Sequence, residues 1–134
     1  MNVESKPETQ IMAALTELTH AYASGDYRRV MAVYAPDSDT VAFGPTIGEK
    51  WIGPAAIGAA YERDFKNFPE SDLEFVWASI SSVGKVSWVA ADCKAHVRVD
   101  GRVLLLEGRF SAIFERRGER WLIMHSHFSF PAAM

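Results

Sequence analysis

The hydrophobic residues near the start of the chain recur at helical spacing. They stand four, three and four residues apart: Ile11, Leu15, Leu18 and Tyr22. This spacing places them on one face of an amphipathic helix, which we predict over residues 7–24. Gly25 ends the helix, since glycine favours the turn that follows a helix.

Two further helices and a short strand are predicted before residue 70. Residues 27–34 have apolar positions at helical spacing after Asp26, a favourable residue at a helix start. A β-branched and aromatic run at 39–45 predicts a brief strand with a loop after it. Pro54 suits the first turn of a third helix, which stops at Pro69.

The second half of the chain changes to long runs of β-forming residues. These runs are separated by three sequences that favour hairpin turns: Gly84, Asp100-Gly101 and Arg116-Arg117-Gly118. Helices followed by such strands indicate an α+β protein. We predict a cone-shaped roll, in which three helices pack on a strongly curved antiparallel sheet around a pocket. The predicted strands are 73–83, 85–101, 102–118 and 120–130.

Length, charge and cysteine content narrow the class of protein. A chain of 134 residues suits one domain, which we predict over 1–134 with a flexible tail at 1–7. A net charge of -3 with scattered Lys and Arg argues against nucleic acid as a partner. No apolar run is long enough to span a membrane. The single cysteine, Cys93, favours a reducing compartment, so we expect a cytoplasmic protein.

Two segments resemble a known superfamily. The order of elements, with "ASGDYRRVMAVYAPD" early and "FERRGERWLIMHSHFS" late, is similar to that of the nuclear transport factor two-like (cystatin-like) proteins. More closely, it looks like the bacterial SnoaL-like and ketosteroid isomerase-like members. The late segment also resembles the association domain of calcium/calmodulin-dependent kinase II. The resemblance implies the cone fold, but this fold hosts isomerases, cyclases, dehydratases, transport factors and oligomerisation hubs.

The positions that do chemistry in ketosteroid isomerases are apolar here. Those enzymes use an aspartate base, a tyrosine and a protonated carboxylic acid. Matched through Gly25 and Asp26, these positions fall at or near Phe43, Leu18 and Phe110. A match displaced by one or two residues would bring Asp39 or Tyr22 into play. The arginines that line the cavity of the kinase association domain are likewise replaced, at Cys93, Ala112 and Phe128.

The resemblance implies a mainly apolar pocket inside the cone. Tyr22 and Ser126 would be its few polar groups, which suits an apolar small molecule with one oxygen. The alternative is that the same residues only form the core. Trp51, in the Gly-rich segment "IGEKWIGP", is a candidate lid. The expected lining residues are Leu18, Tyr22, Phe43, Trp51, Tyr61, Cys93, Phe110, Met124, Ser126 and Phe128.

His125 and His127 stand two residues apart in the last predicted strand, so they share one face. Strict alternation puts Trp121 and Ile123 on that face too. The resemblance places the histidines on the outer, convex face, through which members of the superfamily commonly dimerise. We therefore predict a homodimer with a hydrogen-bonded polar seam. The seam residues are His96, Glu107, Arg109, His125 and His127.

Two other interpretations of the histidine pair stay open. A His-x-His pair with a third histidine on a neighbouring strand is a geometry that zinc can use. No Cys or carboxylate stands at ligand spacing, however, and we expect neither metal nor cofactor. A β-bulge in the last strand would instead reverse its alternation and turn His127 into the pocket as an acid or base.

Two functions of different classes follow. The first is a protein that binds a small, mainly apolar molecule in the cone, or acts there as a cofactor-independent lyase, isomerase or cyclase. The second is a non-catalytic homo-oligomerisation module similar to the kinase association domain. We expect the first, with a second copy of the chain and a small ligand as the only partners.

Overall fold

A computed structural model of the chain describes residues 6–131. Its helices are α1 (Lys6–Ser24), α2 (Tyr27–Met31) and α3 (Pro54–Asn67). Residues 1–5 of the predicted tail lie outside the described part, and α1 already includes Lys6 and Pro7. None of these helices is long and apolar enough to cross a membrane.

The strands of residues 6–131 form one curved sheet in the order β2-β1-β6-β5-β4-β3. The four long strands make an antiparallel meander, whereas β1 runs parallel to β6. Helices packed on one side of this sheet confirm the predicted α+β cone. The strands are β1 (Val41–Phe43), β2 (Lys50–Ile52), β3 (Asp72–Val83), β4 (Val86–Val99), β5 (Arg102–Arg117) and β6 (Arg120–Ser129).

The segment around Trp51 is a strand, which corrects the predicted loop. β2 pairs antiparallel with β1, and Trp51 lies opposite Ala42. Three-residue strands are too short to display a clear alternation in the sequence, so the pattern did not reveal this hairpin. Trp51 is therefore held by backbone hydrogen bonds rather than carried on a loop.

The second helix is shorter than predicted because the chain after it joins the sheet. The Asp26 carboxylate accepts a hydrogen bond from the Arg28 backbone N–H at 2.9 Å and starts α2. Beyond the helix, the N–H of Ala35 donates to the carbonyl of Ile123 at 2.9 Å, and the N–H of Ile123 donates to the carbonyl of Val33 at 2.8 Å. These bonds hold the intervening residue, Tyr34, beside β6.

The core lies between the helices and the concave face of the sheet. Residues two apart on the long strands point inward, as alternation predicts. Burial of this apolar surface is the main stabilising contribution to the fold. The core includes Ile11, Leu15 and Leu18 of α1, Val89, Ala91 and Cys93 of β4, and Phe110, Ala112 and Phe114 of β5.

A β-bulge interrupts the alternation of β6. His125 pairs with Ile113 of β5, but the next residue of β5, Phe114, pairs with Ile123. Met124 therefore has no partner in the ladder. An extra residue of this kind exchanges the two faces of a strand from that point onward.

The bulge places Trp121 and Ile123 in the core, and their predicted position on the outer face beside the histidines is wrong. Trp121 is 5% exposed and Ile123 is fully buried. Beyond the bulge, Ser126 and Phe128 face inward, while His125 and His127 face outward. The bulge anticipated from the sequence is thus present, but it turns the tryptophan and isoleucine inward rather than His127.

Arg117 fixes the base of the β5–β6 hairpin. Its guanidinium makes a bidentate pair with Asp37, at 2.6 and 2.7 Å, and its Nε donates to Glu115 at 2.7 Å. These hydrogen bonds hold the pKa of Asp37 below its ordinary value. The same guanidinium contacts the Met124 sulfur at 3.4 Å, so the bulge, the hairpin and the segment before β1 meet at one side chain.

We predict that Ile123→Ala lowers the free energy of unfolding by about 2–5 kcal/mol, because it opens a cavity in the core. Chemical denaturation measures the loss. Ile52→Ala is the matched control, since Ile52 is 58% exposed on β2. A small loss at Ile123, equal to that at Ile52, would show that the alternation of β6 is unbroken.

Candidate functional site

A cavity of about 400 Å³ lies between α1, α3 and the concave face of the sheet. This volume is at the lower end of the range for small-molecule sites, roughly 300–1,000 Å³. The wall is mainly apolar, and much of it is aromatic. Its rings belong to Tyr22, Phe43, Trp51, Tyr61, Phe65, Phe68, Phe128 and Phe130.

The structure brings many of the predicted lining residues together on the wall. These are Tyr22, Phe43, Trp51, Tyr61, Ser126 and Phe128. Others lie elsewhere among the described residues. Leu18, Cys93 and Phe110 are buried in the packed core, away from the wall, and Met124 is the bulge residue beside Arg117.

Phe43 contacts the predicted seam as well as the cavity. Because β1 runs parallel to β6, Phe43 lies beside His127, and Val41 lies beside His125. The Phe43 ring meets both imidazole rings edge-on, with centroids 5.2 Å from His125 and 5.5 Å from His127. Phe43 therefore separates the outer histidines from the rim of the cavity.

Hydrogen-bonded hydroxyl groups connect two polar residues of the wall, Ser126 and Tyr61. The Tyr34 hydroxyl lies 2.7 Å from the Ser126 hydroxyl and 2.9 Å from the Tyr61 hydroxyl. Ser126 comes from β6, Tyr34 from the segment bonded to β6, and Tyr61 from α3. The Tyr22 ring packs edge-on against Tyr61, with centroids 5.6 Å apart. We call Ser126, Tyr34 and Tyr61 the hydroxyl chain.

Burial raises the pKa of each tyrosine in this region. Desolvation is the largest cause for Tyr22, Tyr34 and Tyr61. For Tyr34, the hydrogen bonds to Ser126 and Tyr61 offset part of the rise. Since an ordinary tyrosine already has a pKa of about 10, all three are protonated at neutral pH and can donate hydrogen bonds.

Carboxylates are the charged groups of the wall. Asp64 follows Tyr61 by three residues on α3, so the two share a helix face. Burial raises the pKa of Asp64, the neighbouring Arg63 opposes that rise, and the Glu49 carboxylate adds to it. Glu49 also accepts a hydrogen bond from the Thr46 backbone N–H at 2.7 Å. None of the described wall residues is Lys, Arg or His.

Sequence reasoning missed Asp64, a residue of the wall, and Tyr34, which lies behind the wall and bonds to Ser126 and Tyr61. Asp64 stands in the charged run 62–64, which reads as a solvated helix face, although its spacing from Tyr61 was a signal. Tyr34 was included in the second helix. Its position depends on backbone bonds to β6, which no local pattern displays.

The predicted seam residues lie along the outer face of the sheet. His96 pairs with Asp72, with Nδ1 and Oδ1 2.8 Å apart. Arg109 pairs with Asp92 at 3.4 Å, and Glu107 is exposed. His125 donates from Nδ1 to the Val41 carbonyl at 3.0 Å. His127 is exposed to solvent, so the structure places it outside the cavity.

The arrangement of these side chains does not assemble a metal centre within residues 6–131. No group of three or more His, Cys, Asp or Glu side chains in that range could hold a metal ion. The ring nitrogen of His125 that faces β1 is already bonded to a backbone carbonyl.

Cys93 is a buried thiol. Burial, followed by the nearby Asp92 carboxylate, raises its pKa to about 11. A thiol that stays protonated and shielded is a poor nucleophile. Cys93 is thus a core residue rather than part of the cavity wall. The cytoplasmic location expected from the single cysteine stays a prediction.

A helical layer on a curved sheet, with an aromatic cavity at its centre, is the architecture of the nuclear transport factor two-like superfamily. Within it, the chain belongs to the SnoaL-like domain family, whose sequence model matches residues 11–133. This match confirms the family indicated by the sequence. Among curated proteins, none matches the chain.

Solved structures share the fold at low sequence identity. A nuclear transport factor 2 (NTF2-like) superfamily protein from Salmonella enterica has a TM-score of 0.86 and 19% identity, with 98% of this chain and 96% of that chain covered. An NTF2-like family protein from Streptomyces avermitilis, provisionally named a dehydratase, has a TM-score of 0.83 and 16% identity, with 95% and 99% covered.

A third similar structure comes from Xanthomonas campestris and is provisionally named a calcium/calmodulin-dependent protein kinase II association domain. Its TM-score is 0.81 and its identity 18%, with 92% of this chain and 87% of that chain covered. Identities this low establish a common fold alone, and the same fold supports unrelated functions. The function must therefore be argued from the side chains of the cavity and of the outer face.

Proposed function

We propose that this protein binds a small, mainly apolar molecule in the cavity and holds one oxygen of that molecule at Tyr61. The observation that carries the proposal is the hydroxyl chain, which runs from the buried Ser126 through Tyr34 to a residue of the wall. Tyr34 is 3% exposed, so its hydroxyl is held by protein groups alone. A hydroxyl fixed in this way, among aromatic rings, gives a pocket both affinity and orientation.

The oxygen belongs to an uncharged hydroxyl or carbonyl group in this proposal. A carboxylate or phosphate ligand would find no cationic side chain among the described wall residues, and it would meet the carboxylates of Glu49 and Asp64. The protonated tyrosines instead offer neutral donors. A neutral ligand avoids the cost of burying an unpaired charge.

Proton transfer is the chemistry we assign to such a site, as in a cofactor-independent lyase or isomerase. A carboxylate with a raised pKa is a suitable base near neutral pH. Asp64 would remove a carbon-bound proton, while Tyr61 donates to the oxygen on which negative charge develops. The apolar positions of Leu18, Phe43 and Phe110 argue against the steroid isomerase arrangement. The fold shared with the Streptomyces protein supports this class by analogy only.

A homodimer through the outer face of the sheet is the assembly we propose. Trp88 of β4 and Ile113 of β5 are direct partners in the ladder, and both are exposed. Trp77 of β3 is 56% exposed and adds a second indole to the outer surface. Exposed tryptophans are typical anchors of protein interfaces. His96, Glu107, Arg109 and His127 would supply polar contacts around these apolar residues.

The second candidate function is a non-catalytic association module. The exposed outer face favours it, and so does the fold shared with the Xanthomonas protein named as an association domain. Native mass spectrometry separates the two functions. A ring larger than a dimer, without a bound organic molecule, would favour the association module, whereas a dimer with added organic mass would favour the binding protein.

The hydroxyl chain predicts how Tyr61→Phe changes ligand affinity. The variant should bind 2-naphthol about five- to tenfold more weakly, since one hydrogen bond is lost, and naphthalene with unchanged affinity. Isothermal titration calorimetry measures both. Tyr27→Phe is the matched control, because Tyr27 lies outside the cavity wall. An equal loss for both probes would contradict a role of Tyr61 in binding oxygen.

Because Asp64 is the proposed base, we predict that the protein catalyses the exchange of carbon-bound protons. With 2-tetralone as probe, the protein should accelerate exchange of the α-protons for deuterium, measured by proton NMR, and Asp64→Asn should abolish the acceleration. The rate should rise with pH through the pKa of Asp64, because the carboxylate is the active form. That rise should lie above the ordinary range of an aspartate, since the pKa is raised. Glu62→Gln, on the exposed face of α3, is the control, and full activity of Asp64→Asn would exclude this residue as the base.

For the outer face, we expect Trp88→Glu to convert the dimer to a monomer, because a charge replaces an apolar anchor that the proposed interface would bury. His127→Ala should weaken the dimer less. Analytical ultracentrifugation gives the dissociation constants. Ile47→Glu is the control at a fully exposed apolar position in the β1–β2 turn. A dimer that survives Trp88→Glu would place the interface elsewhere.

A further inference from the structure

Trp51 lies against the backbone of Gly44, the residue that follows β1. Both residues line the cavity, and the β1–β2 hairpin places them side by side. A Cβ atom at Gly44 would stand 2.8 Å from the tip of the indole, at Cη2, and 2.8 Å from Glu49 Oε1. Carbon atoms in ordinary contact are about 3.5–4.0 Å apart, so any side chain at this position would displace the indole, Glu49 or both.

Phe130 lies against the backbone of β5 at Gly108 in the same manner. A Cβ atom at Gly108 would stand 2.7 Å from Cε1 of the Phe130 ring and would overlap the Ser129 carbonyl. On its other side, the Phe130 ring stacks on Phe128, with centroids 6.1 Å apart and planes at 7°. Phe130 therefore occupies a slot between Phe128 and a glycine, with its edge on the cavity.

Neither glycine is required by its backbone conformation. Gly44 and Gly108 do not belong to the described residues with positive φ, which mark the turns of this chain. A glycine within or beside a strand then serves to let another group approach the backbone closely. At both positions an aromatic ring of the cavity wall is among the approaching groups, together with Glu49 at Gly44 and the Ser129 carbonyl at Gly108.

We propose that Gly44 and Gly108 set the size of the ligand by letting Trp51 and Phe130 lie close against the backbone. A side chain at either position pushes the ring away from the glycine backbone. The ring then moves into the cavity, which is the open space beside it. The two aromatic rings are thus the specificity-determining contacts, and the two glycines are positioning residues. This inference rests on the proposed function, since it concerns ligands of the same cavity.

A series of planar phenols tests the inference. Phenol, 2-naphthol and 9-phenanthrol carry one hydroxyl on one, two and three fused rings, and calorimetry gives the affinity of each. We expect Gly44→Ala and Gly108→Ala to lower the affinity for 9-phenanthrol, relative to phenol, by about tenfold, as crowding a packed site does. Phe130→Ala should shift the same ratio toward 9-phenanthrol, because it removes a ring from the wall.

The control substitution is Gly58→Ala on α3. A Cβ atom there would make an ordinary contact, 3.5 Å from Met31 Cγ, away from the cavity wall. Its affinity ratios should match those of the unchanged protein. Thermal unfolding of each variant identifies any that fail to fold. If a glycine variant does not fold, Phe130→Ala still tests the contact, because it removes the ring instead of crowding it.

The outcomes separate this inference from the proposed function. If the unchanged protein binds the phenols and the ratio of affinities is the same in every variant, the size-setting role is overturned and the binding function stands. If the unchanged protein binds none of the three phenols, both are overturned. A shift of the ratio in opposite directions for Gly108→Ala and Phe130→Ala is the result that supports the inference.

Discussion

At Met124, strand β6 contains one residue more than the facing stretch of β5, and the core and the cavity both depend on this extra residue. Before it, Ile123 points into the core; after it, Ser126 and Phe128 do. The backbone of Ile123 also bonds to Val33 and Ala35, which places Tyr34 beside Ser126. A strand without the bulge would turn either its first half or its second half away from the interior.

Burial divides the polar groups of the cavity into two kinds. The hydroxyl chain lies at the inner wall, where desolvation keeps its tyrosines neutral. The carboxylates of Asp64 and Glu49 lie where α3 and the β1–β2 hairpin approach each other, and Asp64 is half exposed. The wall therefore presents a neutral donor and a carboxylate within one turn of α3, at Tyr61 and Asp64. In the proposed function, this arrangement lets an acid and a base act on one bound molecule.

Local patterns account for most of the fold. The inward face of β4, with Val89, Ala91 and Cys93, follows from alternation in a long strand, and Pro54 marks the start of α3. The position of the bulge in β6 was harder to predict from the sequence. Apolar and polar residues alternate in the same way before and after one inserted residue, so the pattern does not mark where the insertion lies. β2 is too short to show a period. Asp64 reaches the cavity, and Tyr34 reaches the hydroxyl groups of Ser126 and Tyr61, through contacts between distant segments. Local spacing therefore favoured a helix at Tyr34 and a solvated helix face at Asp64.

The hydroxyl chain has a direction. Each hydroxyl group carries a single proton, so when Tyr61 donates to a carbonyl of the ligand, its own oxygen can accept from Tyr34, and Tyr34 from Ser126. A ligand hydroxyl that donates to Tyr61 reverses every bond in the row. Because successive hydrogen bonds polarise one another, the whole row strengthens the bond at its end. The same wall can thus receive an acceptor or a donor without moving a heavy atom, by rotating three protons.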